Sequence, residues 1–125
     1  MLGLGLGKVR HWKWPEHLDA LVAAPGHHTL LFENERVRVL ETRIPAGDRT
    51  PIHTHRFASV LYILEWADCI RRDAEGEVLV DTRRTGGPPS LPAVLWSEAL
   101  PPHSLENIGD RPIRIVSVEM KDAAP

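Results

Sequence analysis

The sequence predicts an all-β sandwich or barrel preceded by one short helix. Short segments rich in β-branched and apolar residues recur at near-regular spacing after residue 27. Proline- and glycine-containing turns separate them, and helical periodicity is confined to one early segment. The chain has 125 residues, a length that fits one domain with one core.

The predicted helix covers Pro15–Ala23. Proline suits the first turn of a helix, and Leu18, Leu21 and Val22 form one apolar stripe. Pro25-Gly26 ends the segment. Before it, Met1–Gly7 alternates leucine and glycine, which is too short and too glycine-rich for a signal peptide. We interpret Met1–Gly7 as a mobile tail or an added edge strand.

The rest of the chain predicts strands joined by turns. The expected strands are 28–32, 36–44, 52–55, 59–66, 68–72, 77–81, 94–97, 103–108 and 112–121. Apolar residues change face partway along 36–44, which predicts a bulge or a passage between two sheets. Arg83–Pro92 is rich in proline and glycine and is expected to be an exposed, mobile loop.

Composition and charge exclude several classes of function. Fifteen basic residues are matched by seventeen acidic ones, giving a net charge of −2, and the basic residues are scattered. Neither nucleic acid nor a membrane is therefore expected as a partner. The expected partner is a small molecule. Cys69 is the single cysteine, so there is no intramolecular disulfide, and a reduced, cytoplasmic setting is the default expectation.

Three histidines carry the best clue to function. His53 and His55 are one residue apart in a predicted strand, so their side chains point the same way. His103, from a distant strand, can complete a three-nitrogen site that leaves metal positions open for water or substrate. The alternative is that the three histidines merely line a polar cavity; we favour metal binding.

The motifs around these histidines resemble the cupin superfamily. Gly47, five further residues and then His53-x-His55 is similar to the first half of the first cupin motif, and His103-x-x-x-Asn107 to the end of the second. The resemblance covers 29–121 and implies a cupin-type double-stranded β-barrel (jelly roll), often dimeric, with one divalent metal in its mouth. Residues 1–28 would then form a tail and a short helix outside the barrel.

Three departures from the cupin pattern affect the ligand set. Ser59 and Val60 stand where cupins usually have a glutamate, the glycine expected near Trp66 is missing, and so is the Pro-x-Gly before His103. Without the carboxylate the site favours Fe, Zn, Ni or Cu over Mn²⁺. Glu98 remains open as a fourth ligand swinging in from its loop.

Five further residues are candidates for the cavity: Tyr62, Asn107, Phe57, Glu41 and Arg43. Glu41 and Arg43 share a face and can orient a carboxylate if that face turns inward, although we favour a solvated face with a cross-strand ion pair. Asn107 can touch the ligand or cap the turn before Gly109. Phe57 would lie at the cavity mouth.

The remaining histidines, His11, His17, His27 and His28, are not expected to be ligands. If the protein is an enzyme, a three-histidine iron site would resemble the thiol and diketone dioxygenases of the cupin superfamily. The alternatives are a non-catalytic cupin that binds or senses a small ligand, and a structural homodimer with a vestigial pocket.

Overall fold

The computed structural model describes residues 12–121. Met1–Gly7, predicted as a tail or an edge strand, lies outside the described residues, as does His11. Nine strands run in the order β1 (His28–Glu33), β2 (Val37–Ile44), β3 (His53–His55), β4 (Ser59–Glu65), β5 (Cys69–Asp73), β6 (Val78–Asp81), β7 (Ala93–Ser97), β8 (Leu100–Asn107) and β9 (Ile113–Met120). Each predicted strand is present, with ends that differ by a few residues.

The predicted helix 15–23 divides into a single 3-10 turn, Glu16–Leu18, and a short helix α1, Ala20–Ala23. Asp19 causes the division, because its backbone is extended (φ −54°, ψ 143°) and forms a parallel bridge with Thr54. Its side chain then accepts a hydrogen bond from the backbone N–H of Leu21 and caps α1.

The strands form two antiparallel sheets, which confirms the predicted jelly roll. The five-stranded sheet has the order β1-β2-β9-β4-β7, and the four-stranded sheet has the order β3-β8-β5-β6. Because β3 pairs with β8, the two halves of the histidine pattern lie side by side in one sheet. Strand β1, at the edge of the other sheet, begins at His28.

The change of face along residues 36–44 does not mark a bulge in β2. That strand pairs with β9 in continuous register over its whole length. The bulge lies in the neighbouring strand β1, where the pairing with β2 shifts between Leu30 and Phe32. Leu40, Thr42 and Ile44 face the interior, so the earlier apolar residues of β2 belong to its other face.

The loop predicted at 83–92 begins as a second short helix, α2 (Thr82–Thr85). Asp81 caps it, and the Thr82 hydroxyl donates to Asp68 while accepting from the backbone N–H of Cys69. The start of this segment is therefore tied to β5. Over residues 12–121, no helix has the length and apolar character needed to cross a membrane.

The core lies between the two sheets. Its buried members are Ile44, Ile63, Ala67, Cys69, Ile113 and Ile115, against which Leu61, Trp66, Ala93 and Leu105 pack. Apart from Trp66 and Ala67, which lie between β4 and β5, these residues come from the inward-facing positions of strands in both sheets, as the period-two alternation of a strand requires. Beside this apolar cluster, the interior contains buried histidines instead of hydrocarbon.

Candidate metal centre

Four histidines meet in the space between the sheets. His53 and His103 are directly paired across β3 and β8, and His55 follows His53 on the same strand. His28 approaches from β1 in the opposite sheet. Ring nitrogens of His28, His53 and His55 all lie within 4.8 Å of one another, which makes these three a candidate metal-binding group.

His103 lies at the margin of this group. Its ring centroid is 4.4 Å from that of His53 and 5.8 Å from that of His55. The His28 ring is 4.7 Å from His53 and 5.2 Å from His55. The predicted trio of His53, His55 and His103 therefore shares one site, but His28, which the sequence analysis set aside, belongs to its most compact part.

Each of the four rings is held through its Nδ1 atom by an oxygen. His28, His53 and His103 reach the backbone carbonyls of Ala24 (3.0 Å), Pro51 (2.8 Å) and Pro101 (2.7 Å). A carbonyl oxygen only accepts hydrogen bonds, so Nδ1 must carry the proton in each of these rings. The neutral tautomer that results leaves the Nε2 lone pair of each ring free to bind a metal.

His55 is held by a buried carboxylate. Its Nδ1 donates to Oε2 of Glu119 at 3.0 Å, and Glu119 is only 1% exposed. The other carboxylate oxygen accepts a hydrogen bond from Nε of Arg38 at 2.8 Å. Arg38 also donates bidentate hydrogen bonds to the carboxylate of Asp19. This carboxylate–histidine arrangement orients the ring and makes its free nitrogen a better ligand. Although burial opposes it, the contacts with Asp19 and Glu119 raise the pKa of Arg38.

Burial keeps three of the four histidines uncharged. It lowers the pKa of His28 to about 4, helped by the neighbouring His55, and that of His53 to about 2, helped by His103. Burial likewise lowers the pKa of His103 to about 4. At neutral pH these rings therefore need lose no proton before a metal binds, which removes one cost of metal binding.

The histidines line a cavity of about 210 Å³ between the sheets. Core residues such as Ile44, Ile63 and Ile115 form its apolar wall. Among the described residues that line it there is no aspartate or glutamate. A small organic molecule can therefore lie against hydrocarbon on one side and imidazole nitrogens on the other.

Three of the predicted cavity residues lie on the outer face of the five-stranded sheet. Tyr62 is 41% exposed, because its neighbours on β4, Leu61 and Ile63, face inward. Glu41 pairs with Arg114 of β9, and Arg43 is exposed. The solvated face with a cross-strand ion pair is thus what the structure contains, although the partner of Glu41 is Arg114 and not Arg43.

Asn107 and Phe57 also lie away from the cavity. Asn107 is fully buried, and its amide donates to the carbonyls of Ile44 and Arg111 while its oxygen accepts from the N–H of Gly109. It therefore caps the turn, one of the two roles considered for it. Phe57 packs against the guanidinium groups of Arg38 and Arg56, in a separate surface depression.

The loop residue Glu98 does not approach the histidines. Its carboxylate accepts a hydrogen bond from the indole of Trp96 at 2.7 Å and is exposed. Ser59, at the position where a motif glutamate was expected, is buried and lines the cavity. Cys69 also lines it, but burial raises the pKa of its thiol to about 11, so this thiol is a poor nucleophile or metal ligand at neutral pH.

Sequence reasoning missed His28 and Glu119. The signal for His28 was the pair His27-His28 at the start of a strand, where alternation requires that one ring face inward. The signal for Glu119 was its place in β9, on the same face as Ile113, Ile115 and Ser117. A carboxylate on the buried face of a strand needs a partner, and here it has two.

The donor set fits a transition metal. Neutral imidazoles without a carboxylate ligand suit Zn²⁺, Ni²⁺, Cu²⁺ or Fe²⁺ better than the oxygen-preferring ions Mg²⁺ and Ca²⁺. His28, His53 and His55 offer free nitrogens within 4.8 Å of one another, so a small inward movement brings them to the roughly 2 Å metal distance that imidazole requires.

Solved structures of similar fold include cupins. A cupin domain from Bordetella pertussis Tohama I superposes with a TM-score of 0.60 at 24% identity, over 75% of this chain and 91% of the other. An RmlC-like cupin from Methanocaldococcus jannaschii gives 0.52 at 13% identity, over 77% and 80%. This chain has the cupin fold.

The polyketide cyclase RemF from Streptomyces resistomycificus also superposes on this chain, with a TM-score of 0.51 at 19% identity over 87% of this chain and 79% of RemF. No protein-family model matches the sequence, and no curated protein is significantly similar to it. At such identities the likeness establishes the cupin fold, and the chemistry of the site must be argued from its own residues.

Proposed function

We propose that this cupin holds one divalent transition metal through Nε2 of His28, His53 and His55, with His103 as a fourth ligand. The metal would face the cavity of about 210 Å³ and contact a small organic molecule there. A metal held by these nitrogens would have room left to bind that molecule and a second reactant.

One observation carries the proposal: all four Nδ1 atoms are bound to oxygens, so the Nε2 atom of each ring is the one that can bind a metal in the cavity. Histidines that only lined a polar cavity would have no reason to share one tautomer. Binding of Nδ1–H to a carbonyl or carboxylate is the usual support for a metal-ligating histidine.

The proposal is tested by metal affinity. We expect His28→Ala and His53→Ala to weaken Zn²⁺ and Ni²⁺ binding by at least ~100-fold, since each loses a direct ligand. The matched control is His17→Ala, which removes an exposed histidine outside the cluster. Protein without an affinity tag is titrated against a chromophoric chelator. Equal affinity of His17→Ala and His28→Ala would exclude His28, and unchanged affinity in His53→Ala would exclude the whole site.

As the enzymatic form of this proposal, we infer a small-molecule oxygenase that uses ferrous iron. Ferrous iron would supply the reactivity toward O₂. The protein groups supply binding and exclusion of water: the described cavity lining contains no carboxylic acid, and its one thiol has a pKa of about 11. Acid–base and nucleophilic chemistry by side chains therefore has little support here.

Oxygen consumption distinguishes this enzyme from a non-catalytic binding protein. Iron-loaded wild-type protein is given small thiols and diketones in air, with His53→Ala as the comparison. Turnover that requires His53 supports an oxygenase. Iron binding without turnover supports the alternative, a cupin that binds or senses a small ligand and whose cavity walls are mainly apolar.

A further inference from the structure

Arg71 brings a positive charge into the cavity. It lies on β5, and its side chain lines the cavity together with that of Cys69, two positions earlier on the same face. Arg71 is paired in register with Leu105 of β8, whose inward neighbour two positions away is His103. Diagonal neighbours of this kind on adjacent strands are roughly 7–8 Å apart, so Arg71 stands next to the histidine cluster.

The guanidinium of Arg71 has no partner within residues 12–121. Its Nε is buried without a hydrogen bond, and the group takes part in no ion pair there. The contrast with its neighbour is direct, since Arg72 on the outer face pairs with Glu106 at 2.8 Å. A buried, unmatched donor costs free energy, which a bound acceptor would recover.

Arg71 is also the one permanently charged side chain among the described residues that line the cavity. No aspartate or glutamate stands among those lining residues to neutralise it. Glu119, the nearest buried acid, is occupied by Arg38 and His55 and is absent from the lining. The cavity therefore has a net positive charge, surrounded by hydrocarbon.

We propose that the cavity binds a small organic carboxylate, with its carboxylate on Arg71 and its hydrocarbon body against the core. A guanidinium matches a carboxylate with two parallel hydrogen bonds, and exclusion of water strengthens them. Leu61, Ile63 and Ile115 supply the apolar wall. An inorganic anion would leave that wall without a partner.

This inference deepens the proposed function and rests on it for one feature only. If the histidines hold a metal, another part of the bound molecule would face that metal: either the end opposite the carboxylate or a substituent close to the carboxylate. Recognition of the carboxylate by Arg71 itself does not need the metal. The two proposals can therefore fail separately.

The test compares two probes that differ in charge but share one hydrocarbon body: 4-methylpentanoate and 4-methylpentanamide. Binding to metal-free and zinc-loaded protein is measured by calorimetry. We expect the metal-free wild-type protein to favour the carboxylate by ~10–100-fold, the range of one charge-assisted contact. Arg71→Met should abolish the preference, and Arg71→Lys should retain part of it, because lysine keeps the charge but loses the planar fork.

Arg72→Met is the matched control, since it removes an arginine from the adjacent, outward position of the same strand. The inference is overturned if the wild-type protein binds both probes equally, if Arg72→Met matches Arg71→Met, or if inorganic phosphate binds more tightly than 4-methylpentanoate. Zinc affinity that does not fall in Arg71→Met, together with a lost carboxylate preference, supports it. Carboxylate preference without any zinc binding would retain Arg71 and reject the metal site.

Discussion

Replacing Glu119 by glutamine tests whether the buried carboxylate supports the metal centre. Its two oxygens accept from Nε of Arg38 at 2.8 Å and from Nδ1 of His55 at 3.0 Å. Glutamine keeps the size of the side chain but has one oxygen and an NH₂ group. Either the NH₂ faces Arg38 and a donor is left unmatched, or it faces His55 and forces the proton of that ring onto Nε2.

Both arrangements weaken the site in a measurable way. Loss of such a supporting partner typically lowers metal affinity by ~10–100-fold. One buried donor left without an acceptor destabilises the metal-free protein by about 1–3 kcal/mol. Arg38 keeps its contact with Asp19, so the charge of Arg38 is not left unpaired. We therefore expect the variant to fold.

The assay is competition for Zn²⁺ against a chelator, combined with urea unfolding of the metal-free protein. Glu106→Gln is the control, because Glu106 also accepts from an arginine at 2.8 Å but its side chain is 32% exposed and lies outside the cavity. Glu106→Gln should leave zinc affinity unchanged. If Glu119→Gln also leaves it unchanged, the carboxylate has only a structural role and the argument for His55 as a supported ligand is refuted.

Three further predictions concern pH, packing and assembly. The metal-free protein should lose stability as the pH falls from 6.5 toward 4. Burial lowers the folded-state pKa of His28 and His103 to about 4 and that of His53 to about 2, so the unfolded chain binds protons before the folded protein does. A melting temperature that is constant or rises over this range would contradict the burial argument. Gly87→Ala should lower the melting temperature, since its Cβ would lie 2.3 Å from Nε1 of Trp66, and a melting temperature equal to that of the wild type would show that the loop moves freely away. The homodimer implied by the resemblance to cupins stays a prediction, which sedimentation equilibrium tests; a monomer at micromolar concentration would reject it.

Much of the fold follows from local patterns along the sequence. Alternation of apolar residues marks the strands, and proline and glycine mark their ends, because both signals depend only on near neighbours in the chain. Gly47, for example, adopts φ +80° in its turn, a conformation that favours glycine. The same alternation placed His53 and His55 on one face, as the structure has them.

The alternation of a strand tells which residues share a face, but only packing decides which face is buried. Tyr62, Glu41 and Arg43 were named as cavity candidates, but the sheet buries the residues between them, and the solvated face that we favoured for Glu41 and Arg43 is the one found. Likewise, the bulge lies in β1 and not in its partner β2. The sequence of either strand taken alone does not identify which strand carries the extra residue.

The amino-acid sequence by itself thus determined the two-sheet β architecture and the histidines at its centre, since these depend on short-range periodicity and motif spacing. Only the tertiary structure brought His28 from the opposite sheet, placed Glu119 behind His55 and left Arg71 unpaired in the cavity. Those contacts join residues tens of positions apart, and they exist because two sheets pack face to face and enclose whatever their inner positions carry.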